Sequence, residues 1–415
     1  VDPELKKIID KANKKYGEGT ILTGKEVEAQ VIPRITTGSL GLDVALGGGW
    51  AANQWNEVIG DESHGKTALV MKTIAANQAL DPNWTVLWFA SESLNVGWAK
   101  TLGVDMDRVA IVDSNEMEFV FQTAIDALKA RAVDCVVIDS LPALESQREA
   151  EKTMEDLQPG QTAFLTGKFF RMASPAIKRS LIDVEDRPCT GLIVNQWREK
   201  IGVMHGDPRT TPGGKAKNFY YYIRVECRRS EWIKNSRDKH IGQAIKVRNI
   251  KNKTAPPGSV GEIDFYFADG NGMKAGEIDT LKDVINVGIE FGVIQRGGGG
   301  YYMIGDQKWK GRESLVDALR ADPDLASVVR TEVMYLLKTP LAFGADLEEE
   351  SKPPKGWDPK KPWNAEQNVD HAVEQMMQQF EDDDVDEDGK DTQARIVGDA
   401  IEKQAAPKRR VKKKD

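Results

Sequence analysis

Residues 60–67 read GDESHGKT and fit the pattern G-x-x-x-x-G-K-[ST]. An apolar run at 54–60, QWNEVIG, leads into them, and a stretch of helical period at 66–80 follows. Strand, glycine turn and helix, in that order, are what a phosphate-binding loop requires. Gly60 and Gly65 let the backbone curl until its N–H groups converge on phosphate oxygens. The helix N-terminus adds a dipole that favours negative charge. Lys66 supplies a point charge for the terminal phosphates, and the Thr67 hydroxyl can hold Mg²⁺. Asp61, Glu62, Ser63 and His64 complete the candidate cradle. A glycine-rich turn with a surface lysine is the plainer alternative.

Further short apolar runs lie at 85–90 (TVLWFA), 108–113 (RVAIVD), 134–139 (DCVVID) and 190–195 (TGLIVN). They are nearly continuous in apolar residues, as strands buried on both faces are. Helical periodicity at 115–131 and 162–181 alternates with them. The fold class is therefore α/β, a mostly parallel sheet with helices on both faces. Residues 219–228 and 243–250 alternate with polar positions and predict an antiparallel extension. The expected divisions are an N-terminal helix region (1–30), a nucleotide-binding core (31–272), a small α/β C-terminal domain (273–340) and a charged tail (345–415). In the third, GIEFGVIQRGGGGYYMIG (288–305) predicts a hairpin, and 313–337 a helical stretch.

The net charge of −8 argues against a simple polycation, but the acid is concentrated. Residues 381–388, EDDDVDED, hold seven carboxylates, whereas the chain closes on KRRVKKKD. The tail reads as mostly disordered, with VDHAVEQMMQQF (369–380) able to form a short amphipathic helix. Its acidic block either competes with a polyanionic ligand for the protein's cations or only solubilises the chain. Three scattered cysteines, Cys135, Cys189 and Cys227, suit a reducing cytoplasm. No run reaches the ~18 apolar residues of a membrane span, so no membrane partner is expected.

Three predicted strand ends carry polar groups that could serve a nucleoside triphosphate. Asp139 and Ser140 close CVVIDS, where a carboxylate can orient a Mg²⁺-bound water or merely cap the next helix. Glu92 follows TVLWFA, placed to activate water or to sit in a solvated loop. Gln196 follows LIVN and either senses the γ-phosphate or caps a strand.

Together these residues spell a family. ITTGSLGLDVALGGG (35–49), the phosphate loop, WAKTLGVD (98–105), CVVIDSLPAL (135–144) and VNQWREKIGVMHGDPRTTPGGKAKNFYYYIRVECRR (194–229) resemble the RecA recombinases. KYGEGTIL (15–22) and VRNIKNKTAPP (247–257) extend the likeness, which runs in order from about residue 5 to 340. The resemblance implies an ATP- and Mg²⁺-using, DNA-dependent ATPase. Its implied partners are single-stranded DNA, a homologous duplex, and further copies of itself in a helical homo-polymer. It also implies roles. Glu92 matches the water-activating glutamate and Gln196 the γ-phosphate sensor. Trp98 matches the aromatic that stacks on adenine and Asn95 the residue that reads the base edge. Lys251 and Lys253 match lysines donated into a neighbouring subunit's ATP site, where cations neutralise transition-state charge. Phe267 is a further nucleotide-facing or core aromatic, and Phe219 an interface or core one.

Residues 197–214 occupy the place of the family's second DNA loop. Arg198, Lys200 and Arg209 suit phosphates, and Gly202, Gly206, Gly213 and Gly214 suit close backbone approach. The Ile201, Val203 and Met204 cluster could wedge between bases. Arg171 and Lys178 match phosphate-binding positions on the preceding helix. The region of the first DNA loop, about 150–165, departs from the bacterial pattern, and its contacts are not assigned. ASESLN around Glu92 is one residue short and lacks the usual flanking carboxylates, and His64 replaces a small residue. These departures point to a phage RecA or UvsX-type variety. His205, His240 and His371 have no metal-ligand spacing. A hexameric helicase on the same core, and a catalytically silent strand-coating protein, are the competing readings.

Overall fold

The computed structural model describes residues 2–16, 21, 23–24, 33–151, 160–178, 187–199 and 208–337. Two short strands, β1 (Arg34–Ile35) and β2 (Trp50–Ala51), pair antiparallel with each other. The central strands are β3 (Trp55–Ile59), β4 (Val86–Ala90), β5 (Val109–Val112), β6 (Cys135–Asp139) and β7 (Thr190–Asn195). A small ribbon, β8 (Arg198–Glu199) with β9 (Arg209–Thr210), follows β7. Three long strands come next, β10 (Tyr221–Lys234), β11 (His240–Asn252) and β12 (Val260–Tyr266). The last are β13 (Gln295–Gly297), β14 (Tyr301–Ile304) and β15 (Gln307–Lys310), which form their own sheet.

The main sheet has eight strands in the order β12-β11-β10-β3-β7-β6-β4-β5. From β10 to β5 every neighbouring pair is parallel, and β11 runs antiparallel to both of its neighbours, β10 and β12. The predicted antiparallel extension is thus present, longer than expected and with one more strand. Strands β3, β4, β6 and β7 are buried along their whole length, which is why they lack period-two alternation.

Helices cover both faces. The helix Lys66–Leu80 packs on one through Leu69, Val70, Met71 and Ile74, beside Val58, Val137 and Val194. Helices Met117–Lys129 and Gln161–Ile177 pack on the other, where Phe121, Phe169 and Phe170 meet Trp55 and Ile138. Phe121 and Phe169 stack with centroids 4.3 Å apart. Each large side chain of this kind contributes about 1.5–3 kcal/mol by leaving water.

The C-terminal cluster departs from its sequence reading. Gly288–Glu290 end the helix Thr280–Glu290 rather than begin a hairpin. The predicted hairpin is three-stranded, and the predicted helical stretch is two helices, Arg312–Ala321 and Pro323–Leu337. Pro323 explains the break: it has no N–H to continue the first helix and its fixed φ suits the first position of the second. This cluster touches the core where the Gly41 N–H donates to Asp283 Oδ1 at 2.8 Å. At the other end, the helix Pro3–Tyr16 opens with Pro3, whose fixed φ suits a first position, and carries Glu4 in its first turn and Lys14 and Lys15 in its last, charges that suit the helix dipole. The tail and most of 17–32 lie outside the described residues, as does the stretch 369–380. Among the described residues no helix is long and apolar enough to cross a membrane.

Candidate nucleotide site

Strand β3 delivers the chain to Gly60, where a Cβ would lie 2.4 Å from the Cys227 carbonyl oxygen. Only glycine lets the loop cross β10 so closely. At Gly65 φ is +82°, which favours glycine, and a Cβ would sit 2.3 Å from Ile245 Cδ1, so that side chain would have to shift. The helix Lys66–Leu80 starts directly after it, without a side-chain cap, leaving its first N–H groups aimed outward.

The strand order brings the other candidates to this loop. β3, β7, β6 and β4 are consecutive neighbours. At their C-terminal ends stand the phosphate loop, Gln196, Asp139 and Glu92, in that order. Ligands of open parallel sheets bind at such ends. Here they enclose a cavity of about 410 Å³ lined by Glu62, Ser63, Gly65, Lys66, Thr67, Glu92, Asp139 and Gln196. Trp98 and Phe267 line it as well, beside Trp232, Gln243 and Phe265.

Hydrogen bonds fix the polar half. Thr67 Oγ1 donates to Asp139 Oδ2 at 2.9 Å. Ser140 Oγ and Gln196 Nε2 both donate to Glu92 Oε1, the latter at 3.2 Å. Lys66 Nζ donates to the Asp61 carbonyl. Burial, opposed by the Thr67 bond and reinforced by nearby Glu92, pushes the Asp139 carboxyl up to about 6. Burial also lowers Lys66, although Cys227, Asp139, Glu92 and Asp61 oppose it. His64 is lowered by burial, and its Nδ1 lies 3.8 Å from Asp61 Oδ2.

The donor set fits Mg²⁺. One hydroxyl and one carboxylate, beside a space for phosphates, match a cation that keeps most of its shell as water and phosphate oxygen. A cation would also relieve the crowding of Asp139 against Glu92. No cluster of three His, Cys, Asp or Glu exists among the described residues, which argues against an all-protein cage.

The aromatic half was partly legible. Trp98 packs edge-on to Phe265 with centroids 6.2 Å apart, and Trp232 edge-on to Phe267 at 6.2 Å. Trp232, Gln243 and Phe265 were missed. They come from the antiparallel strands, and nothing in their local sequence signals that β10–β12 fold over the phosphate loop. Asn95 is not among the cavity-lining side chains. Its Oδ1 caps the helix Val96–Thr101 by accepting from the Trp98 N–H at 2.9 Å.

Lys251 and Lys253 do not line this cavity either. Lys251 Nζ donates to the Asn218 carbonyl at 2.5 Å, and burial beside Lys253 and Arg224 pushes it down to about 8. Lys253 Nζ lies 5.4 Å from the Tyr222 ring centre. Phe219, beside them, is 79% exposed. Arg171 and Lys178 lie exposed on and just after the helix Gln161–Ile177. Arg198 and Arg209 are on the two strands of the ribbon, and Arg209 Nη1 donates to Glu226 Oε1 at 2.8 Å. Lys200, Ile201, Gly202, Val203, Met204, His205 and Gly206 lie outside the described residues, as do 152–159 of the first loop. Gly213 and Gly214 have φ of +88° and +76°, and a Cβ on Gly214 would meet Ala163 Cβ at 2.8 Å. Their lack of a side chain is already used inside the protomer. His240 stacks on Trp232 at 4.8 Å, an ordinary packing role.

The RecA N-terminal domain family matches residues 3–272. The chain belongs to the RecA family. Protein RecA of Cytophaga hutchinsonii is 34% identical over 351 residues, 83% of this chain and 95% of that protein. Protein RecA of Saccharopolyspora erythraea is 34% identical over 346 residues, 82% and 93% of the two chains. Protein RecA of Staphylococcus carnosus is 32% identical over 349 residues, 84% and 93%. This RecA-family chain is a DNA-dependent ATPase acting in recombination and repair. RecA proteins use ATP with a divalent metal, bind DNA and self-associate. The eight-stranded sheet with its phosphate loop is the expected RecA-type core.

Proposed function

We propose that this chain polymerises on single-stranded DNA as a helical filament and, with ATP bound, pairs that strand with a homologous duplex and exchanges strands. The observation that carries the reading is the convergence of four adjacent strand ends on one cavity. There Thr67 holds Asp139 and Gln196 holds Glu92. In this reading Lys66 and the loop N–H groups bind the phosphates, and Trp98 and Phe267 hold the base. Thr67 and Asp139 would hold Mg²⁺, which neutralises phosphate charge when bound. Glu92 orients and deprotonates the attacking water. Gln196, bonded to Glu92, reports the γ-phosphate to the ribbon that follows it. Lys251 and Lys253, outside their own cavity, would act on a neighbour's nucleotide. The exposed Leu5, Ile8 and Phe219 support self-assembly.

Arg198, Lys200 and Arg209, with Arg171 and Lys178, would supply the DNA phosphate contacts and the 201–204 cluster the base contacts. Asn95, used as a helix cap, stays in this reading only as a neighbour of the base. The divisions at about 30, 272 and 340 are proposed as domain boundaries. A cytoplasmic setting is supported by three buried cysteines that form no disulfide, and the departures beside Glu92 and at His64 support a phage-type variety. The test is DNA-strand exchange with wild type, Lys66→Ala and Glu92→Gln, viewed alongside electron microscopy on single-stranded DNA. Filaments and exchange by wild type, filaments with poor turnover by Glu92→Gln and neither by Lys66→Ala support the reading; closed rings without filaments would favour a helicase.

A further inference from the structure

Glu57 has no exposed surface, yet it lies in the middle of β3, three residues before Gly60. Its Oε1 accepts from Asn195 Nδ2 at 2.8 Å and from Lys217 Nζ at 3.3 Å. Its Oε2 accepts from Arg224 Nε at 2.6 Å. Lys217 is itself fully buried. Lysine and glutamate are almost never fully buried unless paired. A well-packed apolar pair would avoid the cost of desolvating two charges. Stability alone therefore gives little reason for this pair.

The bonds beyond the pair supply one. Asn195 ends β7, and its Oδ1 accepts from the backbone N–H of Gln196 at 2.9 Å. Gln196 in turn donates to Glu92. Lys217 Nζ donates to Thr211 Oγ1 at 2.5 Å, one residue past β9. It also donates to Asn218 Oδ1 at 3.1 Å, and the Asn218 carbonyl accepts from Lys251. One buried carboxylate thus connects the water-activating site, the return strand of the ribbon and the segment bearing Lys251. Both sides of the ribbon are tied to one carboxylate of β10, because Trp197 Nε1 and Arg209 Nη1 both donate to Glu226 Oε1 at 2.8 Å. Arg209 also lies over the Trp197 ring, 4.9 Å from its centre.

We propose that Glu57 and Lys217 are positioning residues that link Gln196 to the β8–β9 ribbon and so set how strongly DNA accelerates ATP turnover. Displacing the ribbon moves Thr211, and a buried ion pair resists separation because neither charge has water to turn to. The displacement is therefore passed through Glu57 and Asn195 to the backbone of Gln196. The proposal rests on the reading that the ribbon faces DNA.

The experiment compares ATP hydrolysis with and without single-stranded DNA in wild type, Lys217→Met and the Glu57→Gln/Lys217→Met double variant, with thermal melting as the check of folding. The expected result is a DNA stimulation reduced about ten-fold in kcat, with KM for ATP and the DNA-free rate within about two-fold of wild type. A folded variant that keeps full stimulation overturns the proposal. So does loss of folding in both variants, which would make the pair purely structural. Absence of DNA stimulation in wild type would instead remove the underlying reading, so the two failures are distinguishable.

Discussion

Thr67 Oγ1 donates to Asp139 Oδ2 at 2.9 Å across 72 residues of sequence. The bond joins the first turn of the phosphate-loop helix to the end of a strand two places away in the sheet. It holds a hydroxyl and a carboxylate where a hydrated cation would meet both. The same burial that shapes this pair raises the carboxyl to about 6.

That value sets a pH dependence. A cation is held by the ionised carboxylate, and protonation competes with it. Divalent-metal-dependent nucleotide affinity is expected to be level above about pH 7. Below pH 6 it should fall by up to about ten-fold per unit, as for one coupled proton. Fluorescent-nucleotide titration from pH 5 to 8 at fixed Mg²⁺ measures it, and Asp139→Asn should flatten the curve.

Lys66 and Glu92 should separate binding from chemistry. Removing a charge-assisted contact worth about 1.5–3 kcal/mol lowers affinity by roughly ten- to a hundred-fold. Lys66→Ala is therefore expected to lose ATP binding and hydrolysis together. Glu92→Gln keeps the bond network but removes the proposed base, so turnover should drop by about 10²–10⁴ while ATP-dependent DNA binding persists. Equal loss of both in Glu92→Gln would remove its assignment as the base.

Trp98 lines the cavity. Stacking beyond simple burial is worth about 0.5–1.5 kcal/mol. Trp98→Ala should raise the KM for ATP by roughly three- to ten-fold with little change in kcat, and Trp98→Phe should recover most of it. Steady-state kinetics with both variants decides.

Two buried carboxyls predict how stability varies with pH. Asp43 accepts from Thr36 Oγ1 and the Thr37 N–H, yet burial, with Asp283 nearby, pushes it up to about 7. Asp283 is pushed up to about 6 by burial, with Asp279 nearby. Both values lie above that of an unfolded chain, so the folded protein keeps protons that the unfolded chain has released. This stabilisation is complete below about pH 4 and is lost as pH rises through 6 and 7. Between pH 6 and 8 the loss is on the order of 1 kcal/mol, or a few degrees in melting temperature. Melting scans across that range should show it, and Asp283→Asn should reduce the slope.

Much of this was legible from local sequence. The phosphate loop is recognisable because glycine positions, lysine and hydroxyl follow one another directly, and a strand buried on both faces is apolar at most positions, with Asn56 and Glu57 of β3 among the exceptions. The strands closing on Asp139, Glu92 and Gln196 were readable for the same reason, as was the break in periodicity that separates sheet from helix. Pro323 splits the predicted helical stretch in two, a break that its own residue type explains. Strand order was not legible, because it depends on which edges pair, and no local pattern carries that. Only the tertiary structure decided that Gln196, Asp139 and Glu92 stand side by side, and that Trp232, Gln243 and Phe265 wall the same cavity. It also turned Asn95 into a cap and made Lys217 a buried partner of Glu57. Side-chain roles of that kind are set by neighbours distant in sequence, whose nearness is a property of packing rather than of any single segment.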